Sequence, residues 1–292
     1  MASRDSLQKD LKIFISITSL VLLLELTGGI FTNSLALISD SAHVFVDLLA
    51  LSLTYFSFQI SKRAISKEYT FGYFRAEIIA AIINGVILVL ISIFIFYESY
   101  MRIFSPQQIK VKEMIVISIA GFLANLYIIL KMRKSHENLN AKGAYLHVLS
   151  DTISSIGVIL AALLIIATGN YVFDALISAV IGIFVLTNSI GLLKESVHVI
   201  MEGTPKNIDL IMLSSDMEKI EGVNEVHDLH VWSIASDIFY LSSHILIDAK
   251  NIRSAKKIIG NVNKMLKSKY KITHSVIQLE CDNCINLIKM NN

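Results

Sequence analysis

Six long apolar segments, separated by short polar stretches, occupy the first 204 residues of the chain. A helix needs about 20 mostly apolar residues to cross the hydrocarbon core of a bilayer. Two of the apolar stretches, Ile78–Tyr97 and Ala175–Leu193, contain no charged residue at all. The pattern predicts six membrane-spanning helices, which lie at Lys12–Phe31, Ser34–Ile60, Glu77–Met101, Met114–Leu130, Gly143–Thr168 and Tyr171–Leu193.

The pattern changes after Asn207, where shorter periodic segments replace the long apolar ones. Helical spacing alternates with the two-residue period of half-buried strands. The predicted order is helix, strand, strand, helix, strand, which makes a small open sheet with helices on one face. The five segments are Ile208–Ile220, Val223–Ser233, Phe239–Asp248, Ser254–Lys267 and Thr273–Glu280.

Composition separates the same two regions. Hydrophobic residues make up 54% of the 292 residues and charged residues only 17%, against about 25% charged in soluble domains. Of the 50 charged residues, 21 lie in the last 88 positions. We therefore expect a transmembrane domain at 1–204 and a cytoplasmic domain at 205–292, divided near Gly203 and Pro205.

Charge and cysteine content exclude other classes of protein. The net charge is +2, so no basic field indicates a nucleic-acid partner. Two cysteines cannot make a disulfide scaffold. The expected partners are a lipid bilayer and, as argued below, a second copy of the chain.

Basic residues are concentrated on one side of the predicted membrane topology, and such residues favour the cytoplasm. The other side has three, at Arg102, Lys110 and Lys112. This distribution predicts cytoplasmic N- and C-termini. The favoured side carries Arg4, Lys9, Lys12, Lys62, Arg63, Lys67, Arg75, Lys131, Arg133, Lys134 and Lys142.

Two predicted spans carry the same pair of ionisable residues: His43 with Asp47, and His147 with Asp151. Residues four apart lie on one helix face, and a charge inside a bilayer is a functional candidate by default. Two such helices offer two nitrogens and two oxygens, a set that suits tetrahedral zinc. For either pair alone, a helix-capping Asp or a His bonded to a neighbouring span remains the alternative.

Metal ligands must be deprotonated, so protons compete with the metal for this site. A site that holds either a divalent cation or protons is what an antiporter requires. We expect zinc to leave the cytoplasm while protons enter.

Three motifs in the chain resemble the cation diffusion facilitator family, and its zinc-exporting branch above all. They are Ser34–Asp47, Tyr69–Glu77 and Ala144–Asp151. The resemblance implies a homodimeric zinc–proton antiporter with its transport site at the two His/Asp pairs, and the presence of His43 favours zinc, with cadmium (Cd2+) and cobalt (Co2+) as alternative substrates.

The loop Ser61–Tyr69 has no His, so we expect no metal site there. Eukaryotic members of the family often have a His-rich loop between the fourth and fifth spans. The corresponding loop here, Lys131–Lys142, contains only His136, and its shortness suggests a bacterial inner-membrane protein.

Four further acidic residues lie in the predicted spans. Asp40 and Glu25 are candidates for the surroundings of the transport site, and the alternative is a bond to backbone or serine groups between helices. Asp174 and Glu98 lie near span ends and are interpreted as interfacial.

Several potential metal ligands are grouped in the cytoplasmic domain. The resemblance places His227, His244 and Glu280 where the family binds cytoplasmic metal, with His274 a weaker match. Cys281 and Cys284 form a Cys-x-x-Cys that could add thiolates. Because they are three apart, His227 and His230 are expected on opposite faces of a strand, and Trp232 is expected in the core. The family's version of this domain is metallochaperone-like and forms dimers.

Two functions from other classes compete with transport. An intramembrane metal-dependent hydrolase would need an open metal position and a general base, yet the chain has no His-Glu-x-x-His. A membrane metal sensor would leave the paired His and Asp residues of the spans unexplained.

Overall fold

The computed structural model describes the backbone of residues 2–60, 67–132, 139–235, 238–247 and 254–280. Side chains are described at 13, 15–46, 48, 49, 52, 67–130, 151–235, 238–247 and 254–280. The chain forms two compact units. The helical unit comprises Met1–Ala64 and Ala80–Lys194, and the sheet unit comprises Ile65–Ile79 and Glu195–Asn292.

Long helices account for the first two hundred residues. Five apolar stretches in the described part are long enough to cross a membrane, and a sixth apolar helix runs over Leu35–Val46. The prediction of a helical membrane domain is therefore confirmed. The six helices are α1 (Ala2–Thr32), α2 (Leu35–Ile60), α3 (Arg75–Phe104), α4 (Val111–Met132), α5 (Leu139–Thr168) and α6 (Val172–Ile200).

The interior of the helical unit combines small apolar side chains with serines. Val158, Ala161 and Ala162 on α5 are completely buried, and small residues of this kind let membrane helices approach closely. Buried serines such as Ser92 and Ser189 donate to carbonyl oxygens one turn earlier in their own helices. Their hydroxyls therefore need no water.

The sheet unit has the predicted order of elements. The three strands are arranged β1–β2–β3; β1 and β2 are antiparallel, whereas β2 and β3 are parallel. The predicted αββαβ domain is thus confirmed. Its elements are α7 (Leu210–Glu218), β1 (Glu225–Ala235), β2 (Ile238–Leu246), α8 (Ala255–Lys269) and β3 (His274–Glu280).

One face of the sheet packs on the two short helices. Helix α8 contributes Ile258, Val262 and Leu266, which are spaced four residues apart and are buried. Leu241 and Ile245 of β2 belong to the same hydrophobic core. The four-residue period of the helix and the two-residue period of the strand each bring their apolar positions to this single interface.

A carboxylate at the end of α7 joins this helix to the end of α8. Asp216 accepts hydrogen bonds from Lys269 and, at 2.6 Å, from the hydroxyl of Tyr270. These bonds, with a third from Lys219, hold the pKa of Asp216 below its ordinary value. Burial and the same bond raise the pKa of Tyr270 to about 12.

The opposite face of the sheet carries a row of aromatic side chains. Trp232 stacks near Tyr240, with ring centroids 5.9 Å apart, and Phe71 meets Tyr240 edge-on at 5.6 Å. The prediction that Trp232 lies in the core is wrong, because this residue is only half-buried. It alternates with buried Val231 and therefore points away from the helices.

Candidate metal sites

Helices α2 and α5 pack against each other and bring His43 close to Asp151. The Nε2 atom of His43 lies 3.2 Å from Oδ1 of Asp151, and both residues are buried. Two predicted metal ligands on two helices thus lie in contact, although more than one hundred residues separate them in sequence.

The other two predicted ligands of this site lie on the same helices. Asp47 is in α2, one turn after His43, and His147 is in α5, one turn before Asp151. Their side chains lie outside the described residues, so their place in the site stays a prediction.

Asp40 lies one turn before His43, and its carboxylate bonds to α5. It accepts a hydrogen bond from Ser154 and another, at 3.2 Å to Oδ2, from Ser155. Bonds to serines between helices, the alternative left open by the sequence, are therefore present at Asp40. They also tie the helix that carries His43 to the helix that carries Asp151.

Glu25 on α1 is completely buried. Neither carboxylate oxygen has a hydrogen-bond partner among the residues that the structure describes. Its side chain lies against Gly121 of α4, where a β-carbon would overlap Oε1. A glycine on one helix therefore makes the space for a carboxyl group on another, a relationship that no local sequence pattern indicates.

Asp174, near the start of α6, is 1% exposed. Its carboxylate accepts three hydrogen bonds from the start of α2, given by Ser34 Oγ at 2.6 Å and the amides of Leu35 and Ala36 at 2.7 and 3.2 Å. These bonds enclose the carboxylate at the start of α2.

A second candidate site lies on the sheet. One ligand atom each from His227, His244 and Glu280 fall within 4.8 Å of one another. His227 Nε2 is 3.0 Å from Glu280 Oε2, and His244 Nδ1 is 2.9 Å from Glu280 Oε1. Two imidazole nitrogens and a carboxylate oxygen form a donor set that zinc accepts. The three strands supply one ligand each.

A bulge in β1 decides which histidines face this site. His227 pairs with His244, whereas His230, three residues later, pairs with Ser242, only two residues away on β2. The extra residue in β1 leaves both histidines on the same face. The expectation of opposite faces is therefore wrong. The backbone at Asp228, with φ of 49°, lies in the left-handed region inside the bulge.

Two residues that sequence reasoning missed support the histidines and Glu280. Asp228 Oδ1 is 2.9 Å from His230 Nε2, and its Oδ2 is 3.6 Å from His244 Nε2. Gln278 donates to Glu280 Oε1 at 2.7 Å. The sequence did offer a signal for Asp228, because it lies between the two histidines of the run His-Asp-Leu-His.

The remaining predicted ligands are not brought to this group. The ring of His274 lies 4.4 Å from Tyr240, at the opposite end of β3 from Glu280. Cys281 and Cys284 lie outside the described residues, and so does His136.

Two family models match the chain in sequence. One, described as the cation efflux transmembrane domain, matches residues 11–201. The other, described as the cytoplasmic domain of cation efflux proteins, matches residues 205–282.

Named bacterial proteins are similar over nearly the whole chain. A cadmium, cobalt and zinc/H(+)-K(+) antiporter of Bacillus subtilis is 41% identical over 92% of this chain and 87% of that protein. The metal cation efflux system protein CzcD of Cupriavidus metallidurans is 39% identical over 95% and 88%. The zinc transporter ZitB of Escherichia coli is 34% identical over 92% and 86%.

A solved metal-bound C-terminal domain of the Cupriavidus CzcD transporter also matches. It is 30% identical and covers 25% of this chain and 99% of its own, with a TM-score of 0.24. The family models and the full-length relatives together establish that this chain is a multi-pass membrane protein of the cation efflux family, the cation diffusion facilitators.

Proposed function

We propose that this protein exports divalent metal cations, zinc first, from the cytoplasm in exchange for protons. The observation that carries this proposal is the contact of His43 with Asp151 across two helices. Asp47 and His147 complete the proposed site, which then offers two nitrogens and two oxygens to the metal. A tetrahedral set of this kind suits zinc at bond lengths of about 2.0–2.2 Å.

Proton exchange follows from the chemistry of these ligands. Imidazole and carboxylate groups bind metal only when deprotonated, so metal and protons exclude each other at the site. An inward proton gradient then drives metal outward. The similar protein of Bacillus subtilis is named as a cadmium, cobalt and zinc/H(+)-K(+) antiporter, which agrees with an exchange of metal for protons.

Substrate preference is proposed from the ligand types. Histidine nitrogen favours zinc, cadmium and cobalt over harder cations such as manganese. The names of the similar proteins include the same three metals. We therefore place Zn2+ first and Cd2+ and Co2+ as further substrates.

Export requires an orientation, which we propose from the basic residues. Both termini and residues 205–292 lie in the cytoplasm, and the membrane is the bacterial inner membrane. The excess of Lys and Arg on one side of the predicted topology supports this arrangement.

For residues 205–292 we propose a dimerisation domain that binds zinc through His227, His244 and Glu280. The name of its family model, ZT_dimer, supports a homodimer. These three residues supply three ligand atoms, so a tetrahedral zinc ion would keep one coordination position for a further ligand. Cys281 and Cys284 remain lower-ranked candidates for it, whereas His274 lies at the other end of β3.

We propose no enzymatic reaction for this chain. The hydrolase and sensor alternatives gain no support from the comparisons, because the similar proteins are named as antiporters, efflux proteins and transporters. The proposed four-ligand transport site would also leave no position for an activated water.

Zinc uptake into proteoliposomes tests the function. Vesicles loaded at acidic pH and diluted into neutral buffer with zinc should accumulate the metal, and a protonophore should stop the accumulation. His43→Ala should abolish uptake, whereas Ser189→Ala, a buried serine on α6 that bonds only to its own helix in the described contacts, should not. Equal uptake with and without the gradient would contradict proton exchange.

A further inference from the structure

At the start of α2, every backbone donor of the first turn has a partner. The first four N–H groups of any helix lack partners within that helix. In α2, two of these four donate to the carboxylate of a residue on another helix. The four bonds are Ser34 N to Gly29 O, Leu35 N to Asp174 Oδ2, Ala36 N to Asp174 Oδ1, and Leu37 N to Ser34 Oγ.

Water cannot replace these partners. Ser34 and Leu35 are buried, and Asp174 is 1% exposed. A buried amide without an acceptor is costly, and most costly where no water reaches it. Asp174 is therefore the group that fixes where α2 begins relative to α6.

A guanidinium holds the preceding turn from a second side. Arg102 on α3 donates to the backbone oxygen of Asn33 at 2.7 Å and to its Oδ1 at 3.2 Å. The same guanidinium lies 3.9 Å from Asp174 and bonds Glu98 at 2.9 Å. Asn33 has φ of 59°, so the chain reverses direction at a defined residue.

The clamped end is close to the proposed transport site. His43 lies seven residues after Ala36, about 10 Å along the helix at 1.5 Å per residue. A helix of two turns is stiff, so a change in its depth or rotation at Ala36 moves the imidazole at His43. Metal ligands tolerate displacements of only about 0.2 Å around ideal bond lengths.

We propose that Asp174 is a positioning residue for metal transport: by capping α2, it sets the depth and rotation at which His43 meets Asp151. The inference rests on the proposed function and deepens it, since Asp174 itself does not touch the metal. In this role the Asp174 carboxylate neither binds the metal nor merely stabilises the fold, because it positions His43.

Transport kinetics of full-length protein in proteoliposomes test this role. Asp174→Asn keeps the size of the side chain but replaces one acceptor oxygen by an NH2 group, so at least one amide of α2 loses its partner. We expect the KM for zinc to rise about tenfold or more, as when residues that orient metal ligands are changed. Asp174→Ala should raise it further.

The control is Ser178→Ala, a buried position one turn later on α6. Its hydroxyl donates to the backbone oxygen of Asp174 and has no described bond to α2. The KM of this variant should equal that of wild type. An unchanged KM in Asp174→Asn, with only a lower melting temperature, would overturn the positioning role.

A double-mutant cycle separates positioning from independent damage. If Asp174 acts through His43, the effects of Asp174→Asn and His43→Asp on zinc KM will be non-additive, whereas independent effects multiply. Multiplicative effects would overturn the inference even if each variant is impaired. Absence of zinc transport in wild type would instead overturn the proposed function, and this inference with it.

Discussion

His43 Nε2 and Asp151 Oδ1 lie 3.2 Å apart between helices α2 and α5. The contact joins the second helix of the chain to the fifth, and each partner is buried. Removal of either side chain leaves the other polar group without this neighbour.

Asp151→Ala should abolish zinc transport while the protein stays folded, and Asp47→Ala should do the same. Each variant removes one of the four proposed ligands, and the remaining three bind zinc too weakly to compete with protons. Uptake by proteoliposomes measures transport, and size-exclusion chromatography in detergent measures folding. Wild-type rates in either variant would exclude that residue as a ligand.

His43→Asp should shift the metal preference. An additional oxygen in place of nitrogen makes the site harder, so manganese or iron should gain relative to zinc. The measurement is the inhibition of labelled zinc uptake by increasing manganese. If the competition profile is the same as in wild type, His43 does not contact the transported metal.

Gly121→Ala should destabilise the helical unit, because the new β-carbon would overlap the Glu25 carboxylate. Overpacking of this kind costs about 1–3 kcal/mol. The melting temperature in detergent should fall, and a second change, Glu25→Ala, should restore part of the loss.

Gly191→Ala is the matched control for this pair. A β-carbon at position 191 meets no atom within 4 Å, and alanine favours helix over glycine. Its melting temperature should equal or exceed that of wild type. A similar loss in both glycine variants would show that the contact with Glu25 does not limit stability.

Zinc should raise the unfolding temperature of the sheet unit, and Glu280→Gln or His244→Ala should reduce that rise. A ligand at a hundredfold excess over its Kd stabilises the folded form by about 2.7 kcal/mol. Trp232 is the only tryptophan in the chain, so its fluorescence in full-length protein reports on this unit alone.

His274→Ala serves as comparison, because His274 contacts Tyr240 rather than the group of three ligands. The zinc effect should persist in this variant. It should weaken in all forms as the pH falls, because protons compete with zinc for the ligands. If Glu280→Gln retains the full zinc effect, the metal binds elsewhere.

Asp216→Asn should lower the stability of the sheet unit at neutral pH. Because the folded-state pKa of Asp216 is depressed by its bonds to Lys269 and Tyr270, its contribution is present above the ordinary carboxyl pKa of about 3.9. It is lost as the pH falls through the lower folded value. Denaturant unfolding followed by Trp232 fluorescence between pH 7 and acid should therefore show the variant and wild type converging.

Tyr270→Phe tests the same bond from its other end. The hydroxyl that donates to Asp216 is removed, so stability at neutral pH should fall. In wild type the raised pKa of about 12 means that this contribution is present below the ordinary tyrosine pKa of about 10 and is lost as the pH rises through the folded value. Equal stability of Tyr270→Phe and wild type at pH 7 would show that the bond from Tyr270 to Asp216 does not stabilise the sheet unit.

The sequence by itself determined the membrane helices, the αββαβ order and the two His/Asp pairs. Each of these depends on local periodicity or composition: a bilayer requires about 20 apolar residues, and a four-residue spacing places His43 and Asp47 on one helix face. The resemblance to the cation diffusion facilitators, rather than a local rule, indicated His227, His244 and Glu280 as a group of ligands in residues 205–292.

Only the tertiary structure decided the roles of the buried acids and the face of His230. Asp174 caps α2 from a position about 140 residues away in sequence, and Glu25 fits against Gly121 only because α1 packs on α4. The bulge at Asp228 reverses the face expected from spacing. These features depend on which elements pack together, and long-range packing satisfies donors and fills space in ways that no local period encodes.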